Sequence, residues 1–290
     1  MNILITGANG LLGKNLVEKL SKHHNVYAVV KSKNEVTFSK NIEIIESDLA
    51  NSTTDILPND TDVIYYLAQS NRFREFPDGA SDMFEVNINT PLKIVEWARR
   101  NGVKKFIYAS SGGVYGNPNE PVKEFFDINA NEKHGFYLDG KLSAEILLKN
   151  YAQYFETFVI IRPFFMYGEG QNETMLIPRL INSIKNHKEI VLSGKEGIKI
   201  NPIYIDDAVE SVARILDITK EHVINIAGED IVSLKELALL IQNIVEQEPI
   251  FKYNNNIQND LVADITVMQE KLAKPKIKLR EGLERVVNSL

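Results

Sequence analysis

The chain of 290 residues has a formal net charge of −6, contains no cysteine and is 44% hydrophobic, which is ordinary for a globular protein. These values exclude disulfide bonds, thiolate metal sites and a cysteine nucleophile, and the lack of a basic stripe argues against nucleic-acid binding. A buried strand is predicted from residue 2, and no apolar run approaches the ~20 residues of a membrane span. We therefore expect a cytoplasmic protein without a targeting segment, membrane contact or metal site.

The first half of the chain alternates short apolar segments with segments of helical periodicity. Strands are predicted over residues 2–6, 25–30, 42–45, 62–68, 104–109 and 157–161, and helices over residues 11–20, 84–100 and 137–154. Strands separated by helices pair in parallel through right-handed crossovers. The pattern predicts an α/β fold with a doubly wound parallel sheet of the Rossmann type.

The pattern changes after Arg162, where prolines and glycines divide the chain into shorter pieces. Helices are still predicted over residues 175–186, 206–217 and 233–246, with Asp206 and Asp207 interpreted as the cap of the second. We assign residues 1–162 to a dinucleotide-binding domain. Residues 163–290 are assigned mainly to a smaller mixed α/β cap that binds substrate, although residues 203–226 are allowed to return to the sheet.

Three glycines, Gly7, Gly10 and Gly13, connect the first predicted strand to the first predicted helix. Such a turn brings unpaired backbone N–H groups and the positive end of a helix dipole to one point, which favours phosphate binding. The spacing alone also fits a tight turn with close packing of helix on strand. Because the glycines lie between a strand and a helix, dinucleotide binding is the favoured interpretation.

Tyr137 and Lys141 are four residues apart on a predicted helix, so their side chains share a face. A neighbouring ammonium group favours the phenolate and lowers the phenol pKa from its ordinary value of ~10. The spacing alone also fits a surface tyrosine packed on a lysine stem. Ser110 and Ser111 follow a predicted central strand, at the edge of the sheet where ligands bind. This position favours a role in catalysis for Tyr137, Lys141 and Ser111. Ser110 fits better as a residue that hydrogen-bonds the backbone of a turn.

The second predicted strand ends in Lys31, Ser32 and Lys33 rather than in an acidic residue. An acidic residue at this point would bind the ribose hydroxyls of NAD. Two ammonium groups and a hydroxyl instead suit the 2′-phosphate of NADP. The alternative is a solvated loop, since lysines are common at protein surfaces.

Together these motifs resemble the extended short-chain dehydrogenase/reductases that act on nucleotide-sugars. The resemblance covers nearly the whole chain and includes Asp48-Leu49, Asn87, residues 110–116, residues 162–168 and residues 204–207. It implies that Ser111 bonds the substrate oxygen, that Tyr137 transfers the proton, and that Lys141 holds the nicotinamide ribose and tunes Tyr137. From the motifs and the resemblance together, the predicted cofactor-binding residues are Gly7, Asn9, Gly10, Leu11, Leu12, Gly13, Lys31, Ser32, Lys33, Asp48, Leu49, Leu67, Ala68, Asn87, Tyr137 and Lys141.

Three departures from the family pattern concern the substrate. Gly112-Gly113 stands where sugar-nucleotide 4,6-dehydratases carry an Asp-Glu pair, and glycine supplies neither the acid nor the base of an elimination. Phe165 stands where many epimerases carry an asparagine, and Lys199 lies near the position of an expected arginine, as a point charge without a bidentate fork. The implied substrate-binding residues are Ser111, Gly112, Phe165 and Lys199.

The sequence therefore predicts an NADPH-dependent reductase of a keto group, most simply at C4, on a nucleotide-linked deoxy sugar, with NAD(H) as the alternative cofactor. A 4-epimerase acting on nucleotide-sugars uses the same residues and is the first alternative. The second is a non-catalytic NADP(H)-sensing protein, against which the complete Ser-Tyr-Lys set argues. The resemblance also implies a homodimer in which the helices over residues 84–100 and 137–154 pair across a two-fold axis.

Overall fold

The computed structural model describes residues 1–35, 37–39, 42–51, 54–116, 118, 120–129, 131–256 and 259–290. These residues form two compact units. The first comprises Met1–Val114, Ile128–Arg162 and Val212–Ile224, and the second comprises Tyr115–Asp127, Pro163–Ser211 and Asn225–Leu290. The chain therefore passes between the units several times. The sequence predicted one main boundary, after residue 162, with a return of residues 203–226 to the sheet allowed, and Val212–Ile224 belong to the first unit. The assignment of one part to the cofactor and the other to the substrate stays a prediction.

The strands, in chain order, are β1 Asn2–Thr6, β2 Asn25–Val30, β3 Ile42–Glu46, β4 Val63–Tyr66, β5 Lys105–Ala109, β6 Thr157–Pro163, β7 Met166–Tyr167, β8 Glu189–Ser193, β9 Lys199–Ile200, β10 Ile203–Tyr204, β11 Lys220–Ile226, β12 Val232–Ser233 and β13 Ile250–Asn254. The main sheet has, in the described part of the chain, seven strands in the order β11-β6-β5-β4-β1-β2-β3. Strands β1 to β6 pair in parallel. This confirms the predicted doubly wound α/β fold.

The helices are α1 Leu11–Leu20, α2 Ala80–Phe84, α3 Thr90–Arg100, α4 Phe136–Lys149, α5 Leu176–Lys185, α6 Ile205–Ala213, α7 Leu234–Val245, α8 Thr266–Lys271 and α9 Leu279–Ser289. Short 3-10 turns cover Lys33–Glu35, Thr54–Ile56, Gly112–Tyr115, Ala152–Tyr154 and Arg214–Asp217. No helix within the described ranges has the length and apolar character needed to cross a membrane.

The core of the first unit lies between the sheet and the helices α3 and α4. Ile64, Phe106 and Phe158 on neighbouring strands are buried there, together with Val95 of α3 and Leu148 of α4. Strands covered on both faces have nearly continuous apolar sequences, which explains why their positions are readable from sequence. The packing fixes the carboxyl ends of β1, β4 and β5 relative to the start of α4.

The helix predicted over residues 84–100 is interrupted in the structure by a π-helical turn, Glu85–Asn89, between α2 and α3. Pro91 lies at the start of α3 and has no N–H to donate to the carbonyl of Asn87, four residues earlier. The Tyr108 hydroxyl donates to that carbonyl at 3.0 Å, and the Tyr66 hydroxyl donates to the Val86 carbonyl at 2.5 Å. Two strand tyrosines therefore satisfy backbone carbonyls of the wider turn.

The second unit contains α5, α6 and α7 close to the predicted positions, and α7 begins with a capping box formed by Ser233 and Glu236. Strands β8 and β13 pair in parallel and were not predicted, nor were the helices α8 and α9. The interpretation of Asp206 and Asp207 as a helix cap was wrong, because α6 already begins at Ile205. The buried Asp207 instead accepts backbone N–H groups from residues 276 and 277, at 3.0 and 2.8 Å.

Candidate functional site

The glycine-rich turn lies at the carboxyl end of β1, and its backbone is packed too closely for side chains. Gly7 has a φ of +66°, and a Cβ atom there would lie 2.8 Å from the Ala68 Cα. A Cβ atom on Gly13 would lie 2.2 Å from the Gly7 carbonyl oxygen. Gly10 precedes α1 as its N-cap residue and provides no side chain to occupy the first N–H groups of the helix. The turn therefore leaves backbone donors for an anion at the helix N-terminus.

The predicted residues around this turn have distinct structural positions. Leu11 and Leu12 begin α1, and Leu12 is buried in the core, so that its side chain is a packing element. The Leu67 and Ala68 N–H groups both donate to the Thr6 Oγ1, each at 3.2 Å. This hydroxyl ties the end of β4 to the end of β1, and it holds Ala68 against the glycine turn.

The lysines at the end of β2 are accompanied by carboxylates from the neighbouring strand. The Lys31 Nζ lies 3.3 Å from the Asp48 Oδ2, and the Lys33 backbone N–H donates to the Glu46 Oε2 at 2.9 Å. Burial raises the pKa of Asp48, but the Ala50 N–H and Lys31 outweigh it and hold that pKa below its ordinary value. The subsite predicted for a 2′-phosphate thus contains two negative groups, which offset the two lysines.

Tyr137 lies in the first turn of α4, near the ends of β4 and β5. Its hydroxyl donates to the Gln69 Oε1 at 3.0 Å, and the Phe73 ring packs against its ring with centroids 5.4 Å apart. Burial raises the pKa of Tyr137 to about 12, although a hydrogen bond with the Ser111 side chain lowers it. The structure thus brings Ser111 and Tyr137 together as predicted. It adds Gln69, which sequence reasoning missed because a lone polar residue after a strand carries no distinctive signal.

Lys141 follows Tyr137 by one helical turn and is 1% exposed. Its Nζ donates to the Ala109 carbonyl at 2.8 Å and lies 5.0 Å from the centre of the Tyr108 ring. Burial lowers the pKa of Lys141 to about 7, and the nearby Glu145 carboxylate raises it. Lys141 is therefore close to the balance between its charged and neutral forms at neutral pH.

Asn87 is 1% exposed and lies in the π-helical turn. Its Oδ1 accepts a hydrogen bond from the Ser70 N–H at 3.0 Å, so the amide oxygen faces Ser70 and the amide nitrogen faces away from it. The Asn87 Nδ2 is buried and has no hydrogen-bond partner among the described residues. Buried amide donors without partners are rare in native proteins, which makes this nitrogen a candidate donor for a bound group.

The segment after β5 carries no acid or base beside Ser111. Gly112 is buried in a 3-10 turn, and a Cβ atom on Gly113 would lie 2.8 Å from the Leu138 Cδ2. The Gly113 N–H donates to the Ser111 Oγ at 3.2 Å, which orients that hydroxyl. Leu138, next to Tyr137 on α4, occupies the space that a larger residue at position 113 would need.

Phe165 and Lys199, the other residues predicted to bind substrate, belong to the second unit. Phe165 has a φ of +43°, an unusual backbone conformation for a non-glycine residue. Lys199 is exposed on β9, and its backbone N–H donates to the Asp260 Oδ1 at 2.7 Å. Their contact with a substrate stays a prediction. Across the described ranges, no group of three or more His, Cys, Asp or Glu side chains could hold a metal ion.

Comparison with known proteins identifies the family. A family model described as the NAD dependent epimerase/dehydratase family matches residues 3–227, and the chain belongs to this family. A putative UDP-glucose 4-epimerase of Methanocaldococcus jannaschii is 28% identical, over 99% of this chain and 97% of the relative. A UDP-N-acetyl-alpha-D-glucosaminuronate decarboxylase of Bacillus cytotoxicus is 27% identical, over 98% of this chain and 96% of the relative.

Solved structures resemble the chain over its whole length. The UDP-glucuronic acid 4-epimerase of Bacillus cereus, in complex with UDP-glucuronic acid and NAD, is 25% identical with a TM-score of 0.86, and the match covers 100% of this chain and 98% of that one. The UDP-N-acetylglucosamine 4-epimerase of Methanobrevibacter ruminantium, in complex with UDP-N-acetylmuramic acid, is 25% identical with a TM-score of 0.87, and the match covers 99% and 97%.

Proposed function

We propose that this chain is an NAD-dependent 4-epimerase of a nucleotide-linked sugar, which inverts the configuration at carbon 4. The observation that carries the proposal is the cluster of Ser111, Tyr137 and Lys141 beside a segment, Gly112-Gly113, without an acidic or basic side chain. This set can move one proton to and from a sugar oxygen, and it offers no further group for an elimination. The similarity to enzymes named as UDP-sugar 4-epimerases supports the epimerase alternative over the ketoreductase interpretation.

The residues present fit a nicotinamide dinucleotide. The turn of Gly7, Gly10 and Gly13 provides a closely packed backbone, and the first N–H groups of α1 follow it, where they would bind the diphosphate. The Asn87 Nδ2 is a buried donor without a partner in the described chain, and together with Lys141 it would serve the nicotinamide half. When bound, the cofactor would supply a nicotinamide ring that takes a hydride from carbon 4 and later returns it, so that the reaction has no net oxidation.

The side chains of this chain supply the proton chemistry. Tyr137, with a pKa raised to about 12 by burial, is a neutral phenol at neutral pH and is ready to donate a proton to a sugar oxygen. Tyr137 can accept a proton only as the phenolate. A nearby positive charge stabilises that form, and protonated Lys141, one helical turn away, would provide it. Ser111 would bond the same sugar oxygen and fix it beside the phenol.

We propose NAD rather than the NADP(H) favoured by the sequence analysis. Asp48 pairs with Lys31, and Glu46 accepts the Lys33 backbone N–H, so the region that would receive a 2′-phosphate holds carboxylates as well as lysines. Solved 4-epimerase structures with NAD bound support the same choice. The negative charge of these carboxylates would repel a 2′-phosphate.

The substrate class is best tested with NAD⁺-supplemented protein and a panel of UDP-glucose, UDP-glucuronic acid and UDP-N-acetylglucosamine. We expect interconversion of at least one of them with its C4 epimer, followed by proton NMR, without consumption of nicotinamide. Tyr137→Phe should lower kcat by about 10²–10⁴-fold, as is typical for loss of acid–base help. The proposal fails if none of these sugars is epimerised while a 4-keto-6-deoxy nucleotide-sugar is reduced at the expense of NADPH.

A further inference from the structure

The Tyr137 hydroxyl makes a contact that none of the predicted catalytic residues provides. It donates a hydrogen bond to the side-chain oxygen of Gln69, with 3.0 Å between the Tyr137 Oη and the Gln69 Oε1. Gln69 follows β4, so it approaches the phenol from the loop after that strand, whereas Ser111 follows β5. Gln69 therefore contacts the phenol from a different strand end than the one that carries Ser111.

The loop around Gln69 is fixed on both sides of this residue. The preceding Ala68 N–H donates to the Thr6 Oγ1 at 3.2 Å, and the following Ser70 N–H donates to the Asn87 Oδ1 at 3.0 Å. The Ser70 hydroxyl also bonds to an Asp82 carboxylate oxygen. An exposed glutamine would normally sample many rotamers, but here its backbone is anchored to buried groups. The fixed backbone therefore limits the positions that the Gln69 amide can take relative to Tyr137.

We propose that Gln69 is a positioning residue for Tyr137, and that its amide holds the hydroxyl in both the neutral and the ionised form of the phenol. The chemistry of the amide suits this role, because it carries an acceptor oxygen and a donor nitrogen on one rotatable group. The oxygen accepts from the neutral phenol, as in the structure, and after rotation the nitrogen donates to the phenolate. This inference rests on the proposed function, in which Tyr137 takes and returns a proton in each cycle.

The elements next to Tyr137 carry several other titratable or charged groups. They are His134 before α4, Asp139, Lys141 and Glu145 on α4, Tyr108 on β5, and Arg72, Arg74, Glu75 and Asp82 on the segment after β4. The Arg74 guanidinium lies 4.9 Å from the centre of the Phe73 ring, on the ring that packs against Tyr137. Gln69 differs from these groups in that it contacts the phenol oxygen directly.

Charge substitutions at position 69 test this contact, with position 71 on the same exposed loop as the matched control. The test variants are Gln69→Lys and Gln69→Glu, and the controls are Asn71→Lys and Asn71→Asp. An ammonium group at position 69 should favour the phenolate and lower the pKa of Tyr137 by about one unit or more, whereas a carboxylate should raise it. The same charges at position 71 should shift it by less than about a third as much, because water screens them.

Two readouts separate this inference from the proposed function. The first is a ¹³C NMR titration of protein labelled at the tyrosine ζ carbon, with Tyr137 assigned by Tyr137→Phe, which needs no turnover. The second is the pH profile of kcat/KM, in which Gln69→Lys should move the acidic limb to lower pH by the same amount while KM changes less than about twofold. Equal pKa shifts from positions 69 and 71 would overturn the inference. Shifts confined to position 69 in a protein without epimerase activity would support it and refute the proposed function.

Discussion

The Glu145 carboxylate of α4 accepts two hydrogen bonds from the Arg162 guanidinium of β6, at 3.0 and 2.5 Å, and both side chains are almost completely buried. Glu145 lies one helical turn after Lys141, which itself follows Tyr137 by one turn, so the three residues share a face of α4. The ion pair therefore fixes the helix that carries the proposed proton-transfer group, and it neutralises a carboxylate directly beside Lys141.

Removing one partner of this pair should be costly. We expect Arg162→Met to lower the free energy of unfolding by about 3–5 kcal/mol, because it leaves the Glu145 carboxylate buried without a counter-charge. The double variant Glu145→Leu, Arg162→Met should recover most of the loss, since neither member of the pair then leaves its partner as a buried unpaired charge. Urea denaturation of the three proteins measures both effects, and a double variant as unstable as Arg162→Met would contradict this explanation.

The glycine turn allows a comparison of two similar substitutions. Gly13→Ala should destabilise the protein by about 1–3 kcal/mol, the usual range for overpacking, because its Cβ atom would lie 2.2 Å from the Gly7 carbonyl oxygen. Gly10→Ala is the matched control, since its Cβ atom would lie 3.3 Å from the same oxygen and its φ of −74° suits alanine. Equal urea midpoints for the two variants would show that the turn accommodates a Cβ atom at position 13.

The lowered pKa of Lys141 predicts a specific dependence of the free energy of unfolding on pH. Burial lowers its pKa from 10.5 to about 7, so between these values the unfolded chain binds a proton that the folded protein has released. Stability should therefore rise with pH across this window, by an amount on the order of 3–5 kcal/mol relative to Lys141→Met. Urea denaturation at pH 7 and pH 9.5 gives the difference between the two proteins. A difference that is independent of pH would rule out a neutral Lys141.

The cofactor preference follows from the carboxylates at the end of β3. We expect NAD⁺ to bind at least about tenfold more tightly than NADP⁺, a difference of ~1.4 kcal/mol, and calorimetric titration measures both affinities. Glu46→Gln should move the ratio toward NADP⁺, because it removes a negative charge beside the Lys33 backbone. Glu43→Gln, on the exposed part of the same strand, is the control and should leave the ratio unchanged. Tighter binding of NADP⁺ by the unchanged protein would restore the NADPH interpretation.

The homodimer also stays a prediction, and the structure supplies residues with which to test it. Ile146 and Leu147 of α4 are 56% and 44% exposed, a large fraction for adjacent aliphatic side chains. If α3 and α4 form the contact, Ile146→Arg should shift the mass in light scattering from dimer to monomer. Leu239→Arg, at another exposed leucine on α7, should leave the mass unchanged. A monomeric unchanged protein at micromolar concentration would refute the predicted assembly.

Much of the first unit was predictable because its signals are local. The apolar strands, the glycine turn between β1 and α1, and the spacing of Tyr137 and Lys141 are each contained in a few consecutive residues. Such patterns report periodicity and turn chemistry directly. The carboxyl-end rule for parallel sheets then placed Ser111 near Tyr137, and in the structure the Ser111 side chain is close enough to lower the pKa of Tyr137.

The features that sequence reasoning missed arise from contacts between distant segments. Gln69 reaches Tyr137 across 68 residues, and Glu46 meets the Lys33 backbone from the adjacent strand, so neither relationship has a local pattern. The π-helical turn at Glu85–Asn89 depends on hydroxyls from two strands as well as on Pro91. Residues 115–127 belong to the second unit through contacts such as the Val122 N–H to the Val262 carbonyl, which no periodicity reveals.

The fate of the hydrogen on carbon 4 tests the central claim most directly. The measurement is incubation of NAD⁺-loaded protein with a UDP-sugar that carries deuterium at C4, followed by NMR of both epimers. The proposed 4-epimerase predicts that the C4 epimer forms, that it retains deuterium at C4, and that the amount of reduced nicotinamide does not change with turnover. Absence of the epimer, combined with NADPH consumption in proportion to product from a 4-keto-6-deoxy nucleotide-sugar, would contradict the account and establish a ketoreductase.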